Sequence, residues 1–201
     1  QHIRIGARAT PQDKVRIVKA YRLDEKIVAM TGDGVNDAPS LKQADVGIAM
    51  GSGTEVSRQT SDLILTDDNF ATIISAVEEG RNIYLNIQKA VLYLLSCNLG
   101  EITTLFLAIV LMPVAPAPLS AIQILWINLV TDAFPALSLA AEPQDPYIMD
   151  QKPRAATESL FANGGWAFMV LTGLYIGTIS LVAFKFGSAY DVRTAHTMTF
   201  M

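Results

Sequence analysis

Asp33 and Asp37 lie four positions apart in the string Thr31-Gly32-Asp33-Gly34-Val35-Asn36-Asp37-Ala38-Pro39-Ser40, directly after the apolar run Lys26-Ile27-Val28-Ala29-Met30. The run reads as a buried strand. Gly32 and Gly34 allow the backbone to turn sharply after it, so both carboxylates emerge at a strand's carboxyl end. Hard oxygen donors in such a place suit Mg²⁺ and a phosphate-bearing ligand. Taken alone, the string also fits a turn with solvated carboxylates.

A second set of oxygen donors stands in apolar surroundings. Asn98 and Glu101 share one helix face, with Gly100 beside them, and Asn128, Thr131 and Asp132 share another. A carboxylate near mid-bilayer costs on the order of 3 kcal/mol, so Glu101 and Asp132 require a compensating partner. Hydrogen bonding between helices would account for Asn98 or Thr131 alone, whereas the two acids together point to a cation site. Pro135 has no N–H to bond the carbonyl of Thr131, which leaves that oxygen available beside Asp132. Carboxylate, amide and carbonyl oxygens without sulfur or imidazole select a hard ion, Ca²⁺ ahead of a thiophilic metal. Cys97 is the single cysteine of the chain, so no disulfide framework or paired-thiolate site is open to it, and it reads as a packed core thiol.

Composition and periodicity indicate the elements that hold these residues. Of 201 residues, 51% are hydrophobic and 17% charged, with mean hydropathy +0.33, and the charges gather before residue 90. Beyond it, three apolar stretches at roughly 90–112, 119–141 and 165–184 each have about the twenty residues that a spanning helix requires. A buried helix of a soluble protein is the alternative for each, above all for the second with its polar residues. A chain this short lacks the other surface needed to bury three of them. The pattern predicts a cytosolic domain over 1–70, a helical connector over 71–89 and a transmembrane domain over 90–201, surrounded by lipid, with a further span opening near 195. Net charge −4 and the lack of a basic cluster argue against a nucleic-acid partner. Gln1 is no initiator, so the chain is expected to be a piece of a longer protein.

Between Ala9 and Asn69 helical and strand-like stretches alternate at short intervals, which predicts an α/β domain with a parallel sheet. Thr10-Pro11-Gln12-Asp13 caps a helix through Leu23, Ile27 to Met30 is a strand, Pro39 to Ala44 is helical, and Val46 to Met50 is the next strand. Gly51-Ser52-Gly53-Thr54 opens another helix before a short strand, Leu63-Ile64-Leu65. Lys14 falls in the first turn of the opening helix, able to point back toward the Asp33 loop, although its spacing alone also fits a solvated charge. From Phe70 to Lys89 helical spacing continues without proline into the first span, with Gly80 as a soft point or a packing contact.

The Gly-Asp-Gly-Val-Asn-Asp-Ala-Pro string, Lys14 within Ala7-Arg8-Ala9-Thr10-Pro11-Gln12-Asp13-Lys14, and the downstream spans together resemble the P-type cation-transporting ATPases. The likeness runs essentially end to end. It implies a haloacid-dehalogenase-like, Rossmann-type partial phosphorylation domain followed by an α-helical transmembrane domain holding spans five to seven. By the same resemblance Asp33 holds Mg²⁺, Asp37 supports that site, and Asn36 and Lys14 reach phosphoryl oxygens. Such groups stabilise charge on the transferring phosphoryl. The family's phosphorylated Asp, in an Asp-Lys-Thr-Gly-Thr segment, does not occur here, nor do its nucleotide-binding domain and Thr-Gly-Glu loop, so these residues alone are expected not to turn over ATP.

Asn98-Leu99-Gly100-Glu101 and Gln123-Ile124-Leu125-Trp126-Ile127-Asn128-Leu129-Val130-Thr131-Asp132 sharpen the likeness to calcium pumps of the sarcoplasmic-reticulum type. There the matching Asn98, Glu101 and Thr131 serve one calcium site, Asn128 serves the other, and Asp132 bridges both. Glu101 favours two ions per cycle. Asp132-Ala133 departs from the Asp-Gly common in animal calcium pumps, which leaves open how far the helix unwinds. The implied partners are the actuator and nucleotide-binding domains and the other spans of one pump, in a bacterial plasma membrane, with residues 1–89 cytosolic. A Na⁺ or Mn²⁺ pump, a membrane-anchored phosphatase of the haloacid-dehalogenase type, and a non-catalytic assembly partner are the alternatives.

Overall fold

A computed structural model describes residues 8–155 and 158–201, in two compact units: 8–79 with 152–155, and 80–151 with 158–201. Ala7, at the head of the Lys14 segment, lies outside the described residues.

The first unit is a three-stranded parallel sheet with short helices. Thr10 starts helix α1 (Pro11–Leu23): its hydroxyl accepts from the Asp13 N–H while the Asp13 carboxylate accepts from the Thr10 N–H, a capping box reinforced by Pro11. The strands are β1 (Ala29–Gly32), β2 (Val46–Met50) and β3 (Leu63–Leu65), in spatial order β1-β2-β3, with Thr31 paired to Ile48 and Ile48 to Leu63. A 3₁₀ turn (Val35–Asp37) and helix α2 (Ala38–Gln43) join β1 to β2, and helix α3 (Glu55–Thr60) joins β2 to β3. The core sits around the central strand, where Ile48 and Ala49 are buried with Val18, Leu41 and Leu65.

One expectation shifts. The first strand is not the buried run Ile27–Met30; it begins at Ala29, and Ile27 is 63% exposed. β1 is an edge strand, so its start is paired on one side only, and the Val28 N–H is satisfied by the Asp45 carboxylate at 2.9 Å rather than by a ladder.

The second unit is helical. Helix α4 (Ala71–Leu111) begins in the first unit and runs unbroken, with its greater part, from Gly80, in the second. A side chain added at Gly80 would meet no atom within 4 Å, so packing among the described residues does not demand glycine there. The next span is composite: helix α5 (Ala121–Trp126), a π-helical turn (Ile127–Thr131) and helix α6 (Ala133–Ala140). Helix α7 (Gly165–Ser188) and helix α8 (Val192–Phe200) follow. Among the described residues three segments, Ala71–Leu111, Ala121–Ala140 and Gly165–Ser188, are long and apolar enough to cross a membrane. Their outward faces carry Ile102, Phe106, Leu125, Phe134 and Leu171 exposed, as lipid-facing helices do.

Small residues bring α4 and α7 together. A Cβ at Gly177 would lie 2.5 Å from the Thr103 Cβ, and one at Gly173 would lie 2.8 Å from Leu99, so neither position admits a side chain without displacement. The Thr104 hydroxyl donates to the Gly100 carbonyl at 2.8 Å, filling the same seam. Between the composite span and α7, the connecting chain is tied back to α4: Arg81 donates to the carbonyls of Ile148 and Gln151 at 3.1 and 3.0 Å, Asn86 to Glu142 at 2.8 Å, and Gln88 to Leu160 at 2.6 Å. Lys89 completes the tie as an ion pair with Glu142.

Candidate functional site

In the first unit the functional side chains gather where β1 ends. Asp37, at the foot of the 3₁₀ turn, is only 6% exposed. Its Oδ1 is ion-paired with the Lys14 ammonium, and its Oδ2 accepts from the Gly34 N–H at 3.3 Å. Burial pushes the Asp37 carboxyl up, but the Lys14 and backbone hydrogen bonds outweigh it, and the group ionises below the usual carboxylate range. The Asp37 carboxylate folds over Gly32, where an added Cβ would stand 2.5 Å from the Asp37 Cβ. Gly32 is therefore required by close approach. Gly34 is not: its φ of −109° is open to any residue, and an added Cβ would meet nothing nearer than 3.7 Å.

Asp33 and Asn36 are exposed at the carboxyl end of β1. The backbone of Asp33 is fixed from a side that sequence reasoning passed over, since its carbonyl accepts from the Thr54 N–H at 2.8 Å and the Ser57 hydroxyl at 3.1 Å. Thr54 both caps α3 and anchors the loop, and Gly-Ser-Gly-Thr after a parallel strand is the sequence signal for it. The arrangement divides the two acids. Asp33 is left facing outward on a pinned loop, while Asp37 is committed to Lys14 and Gly34 rather than turned outward beside it.

In the second unit the structure joins Glu101 to Asn128. The Asn128 amide donates to both Glu101 oxygens, at 3.1 and 2.9 Å, and to the Ile124 carbonyl at 3.0 Å. Asp132 is 4% exposed, and among the described residues its Oδ2 has no hydrogen-bond donor. A buried carboxylate oxygen without a donor is costly and calls for a cation or a proton. Among the described residues no three His, Cys, Asp or Glu side chains converge on one point.

Two of the expected span residues are placed differently. Asn98 donates to the Leu94 carbonyl of its own helix at 2.9 Å and is not hydrogen-bonded to the Glu101–Asn128 pair. Thr131 is exposed while Asp132 is buried. The π-helical turn is the reason: the Asp132 N–H bonds the Ile127 carbonyl, five residues back, at 2.9 Å. A wider turn rotates less per residue, so the fourth residue after Asn128 stays in line with it and the third falls short. The unwinding left open at Asp132-Ala133 takes the form of a π-helical turn over Ile127–Thr131. Cys97 is the functional candidate that sequence reading missed. Its thiol interacts with the Asp132 carboxylate, and its position four before Glu101 is the available signal.

Comparison with known proteins agrees with both halves of this architecture. The family described as "haloacid dehalogenase-like hydrolase" matches residues 15–77, and "Cation transporting ATPase, C-terminus" matches residues 116–201. Calcium-transporting ATPase 1 of Bacillus cereus is 57% identical over 190 residues, 94% of this chain and 21% of that protein. The calcium-transporting ATPase of Bacillus subtilis is 50% identical over 186 residues, 92% of this chain and 21% of that protein. Calcium-transporting ATPase 3, endoplasmic reticulum-type, of Arabidopsis thaliana is 45% identical over 187 residues, 92% of this chain and 18% of that protein. The chain therefore spans about a fifth of the length of these relatives, and it matches them nearly throughout. With a haloacid-dehalogenase-like unit leading into membrane-length helices, it belongs to the P-type cation-transporting ATPase family.

Proposed function

We propose that this chain is the C-terminal half of the phosphorylation domain and spans five to seven of an ATP-driven Ca²⁺ pump. The observation that carries the reading is the set of oxygens in the second unit: Glu101 held by Asn128, and Asp132 buried with one oxygen lacking a donor. Hard oxygen donors of this kind favour Ca²⁺, and relatives at 57% and 50% identity are named calcium-transporting. Asn98 and Thr131 join the ion only after side-chain or backbone adjustment.

In the first unit the donors suit Mg²⁺ and a phosphoryl group. Asp33 would hold Mg²⁺ directly, because its carboxylate is outward and its backbone pinned by Thr54 and Ser57. Asp37 acts behind it, placing Lys14 so that the ammonium and the Asn36 amide offset charge on the phosphoryl oxygens. ATP, Mg²⁺, the remaining pump domains and a bacterial plasma membrane belong to this reading. The orientation that goes with it has residues 1–89 in the cytosol, the loop 113–118 outside, and Lys152 and Arg154 back on the cytosolic side.

ATP-driven uptake of radioactive Ca²⁺ into vesicles carrying the full-length pump tests the ion. Uptake of Ca²⁺ in preference to Na⁺ or Mn²⁺ is expected; uptake of either of those with none of Ca²⁺ would replace the ion, and phosphate release indifferent to all three would favour an anchored phosphatase.

A further inference from the structure

The Glu101–Asn128 and Asn86–Glu142 hydrogen bonds fix the register between α4 and the composite span, which run antiparallel. Stepping back four residues from Glu101 and forward four from Asn128 brings Cys97 opposite Asp132. The thiol interacts with that carboxylate, in keeping with the register. Cys97 is half-buried and lines a cavity of about 670 Å³ with Tyr93, Ser96, Phe168 and Ile176. Asp132 is 4% exposed, and among the described residues its Oδ2 has no hydrogen-bond donor. The lysine that also lines this cavity, Lys89, is ion-paired with Glu142.

A soft sulfur and a hard carboxylate side by side bind a different class of ion from oxygens alone. Thiolate favours thiophilic divalent metals, and Cd²⁺, close to Ca²⁺ in size, accepts both donor types. We propose that Cys97 is a ligand of the cation site and that, through its Sγ and the Asp132 carboxylate, the site takes a thiophilic divalent ion such as Cd²⁺ in competition with the transported ion. Binding forms a Cd–S bond and releases the thiol proton to solvent, with no change of oxidation state. This inference rests on the reading of Glu101, Asn128 and Asp132 as the cation site, but not on that ion being Ca²⁺.

The test is a Cd²⁺ titration of the full-length pump in lipid nanodiscs, followed by sulfur-to-cadmium charge-transfer absorption, for wild type, Cys97→Ser and Cys97→Ala. Monodisperse elution serves as the check of folding. The expected result is a component of the absorption present in wild type and lost in both variants, with Cd²⁺ affinity falling at least about tenfold, the lower end of what even an outer-shell change costs a metal site. Saturating Ca²⁺ should erase the same component. A spectrum and affinity unchanged by either substitution would overturn the proposal, as would a Cys97-dependent component that no transported cation displaces. Displacement by Na⁺ or Mn²⁺ but not by Ca²⁺ would uphold Cys97 as a ligand and overturn the calcium assignment instead.

Discussion

The amide of Asn128 donates to both carboxylate oxygens of Glu101, at 3.1 and 2.9 Å, across two membrane-length segments. An amide has no charge to offset the carboxylate, so this pair orients Glu101 without neutralising it. A cation entering would draw Glu101 oxygens toward itself and loosen the amide contact. Replacing Glu101 with Gln keeps the shape and removes the charge. The variant should fold and reach the membrane, while its apparent affinity for the transported ion falls at least about tenfold, as loss of a direct metal contact requires. Ion-concentration dependence of phosphoenzyme formation measures this.

Lys14 tests the other unit. Its ammonium pairs with Asp37. Lys14→Met should slow phosphoenzyme formation by about 10²-fold, the usual cost of losing one preorganised charge-stabilising donor. Because Asp37 then stays buried without its charged partner, the β1–α2 segment should also lose about 2 kcal/mol of local stability. Rapid-quench phosphorylation reads the first effect and amide exchange the second.

The same pair predicts a pH dependence. The folded-state carboxyl of Asp37 ionises below its unfolded value. Its contribution to stability is therefore complete above the unfolded value and is lost as pH falls through the folded one. Exchange protection of residues 28–44, corrected for intrinsic rates, should drop across that acidic window in wild type. In Lys14→Met most of the drop should disappear, because the main hydrogen bond that lowers the Asp37 carboxyl is gone. An equal acid sensitivity in both proteins would show that the pair is not its source.

Where local rules act alone, the sequence was readable. Thr10, Pro11 and Asp13 mark the start of α1 because the capping box is built from neighbours, and β2 runs over Val46–Met50 as its apolar run indicates. Edge effects blurred β1, since pairing on one side leaves its first residues to side-chain partners such as Asp45. At the candidate cation site, helical periodicity sets Asn128, Thr131 and Asp132 on one face, whereas in the structure Thr131 is exposed and Asp132 buried. One extra residue in a π-helical turn rotates the backbone without altering hydropathy, so periodicity cannot register it. Cys97 was passed over for a different reason. A single thiol in an apolar stretch looks like packing until the register of two helices sets it against Asp132.

Asp132, buried with a donorless oxygen, is where the account is most exposed. The decisive measurement is phosphoenzyme formation from ATP in the full-length pump, with and without Ca²⁺, for wild type and Asp132→Asn. Ca²⁺-dependent labelling is expected in wild type and should be abolished in Asp132→Asn while the protein remains folded. Labelling indifferent both to Ca²⁺ and to the substitution would contradict it.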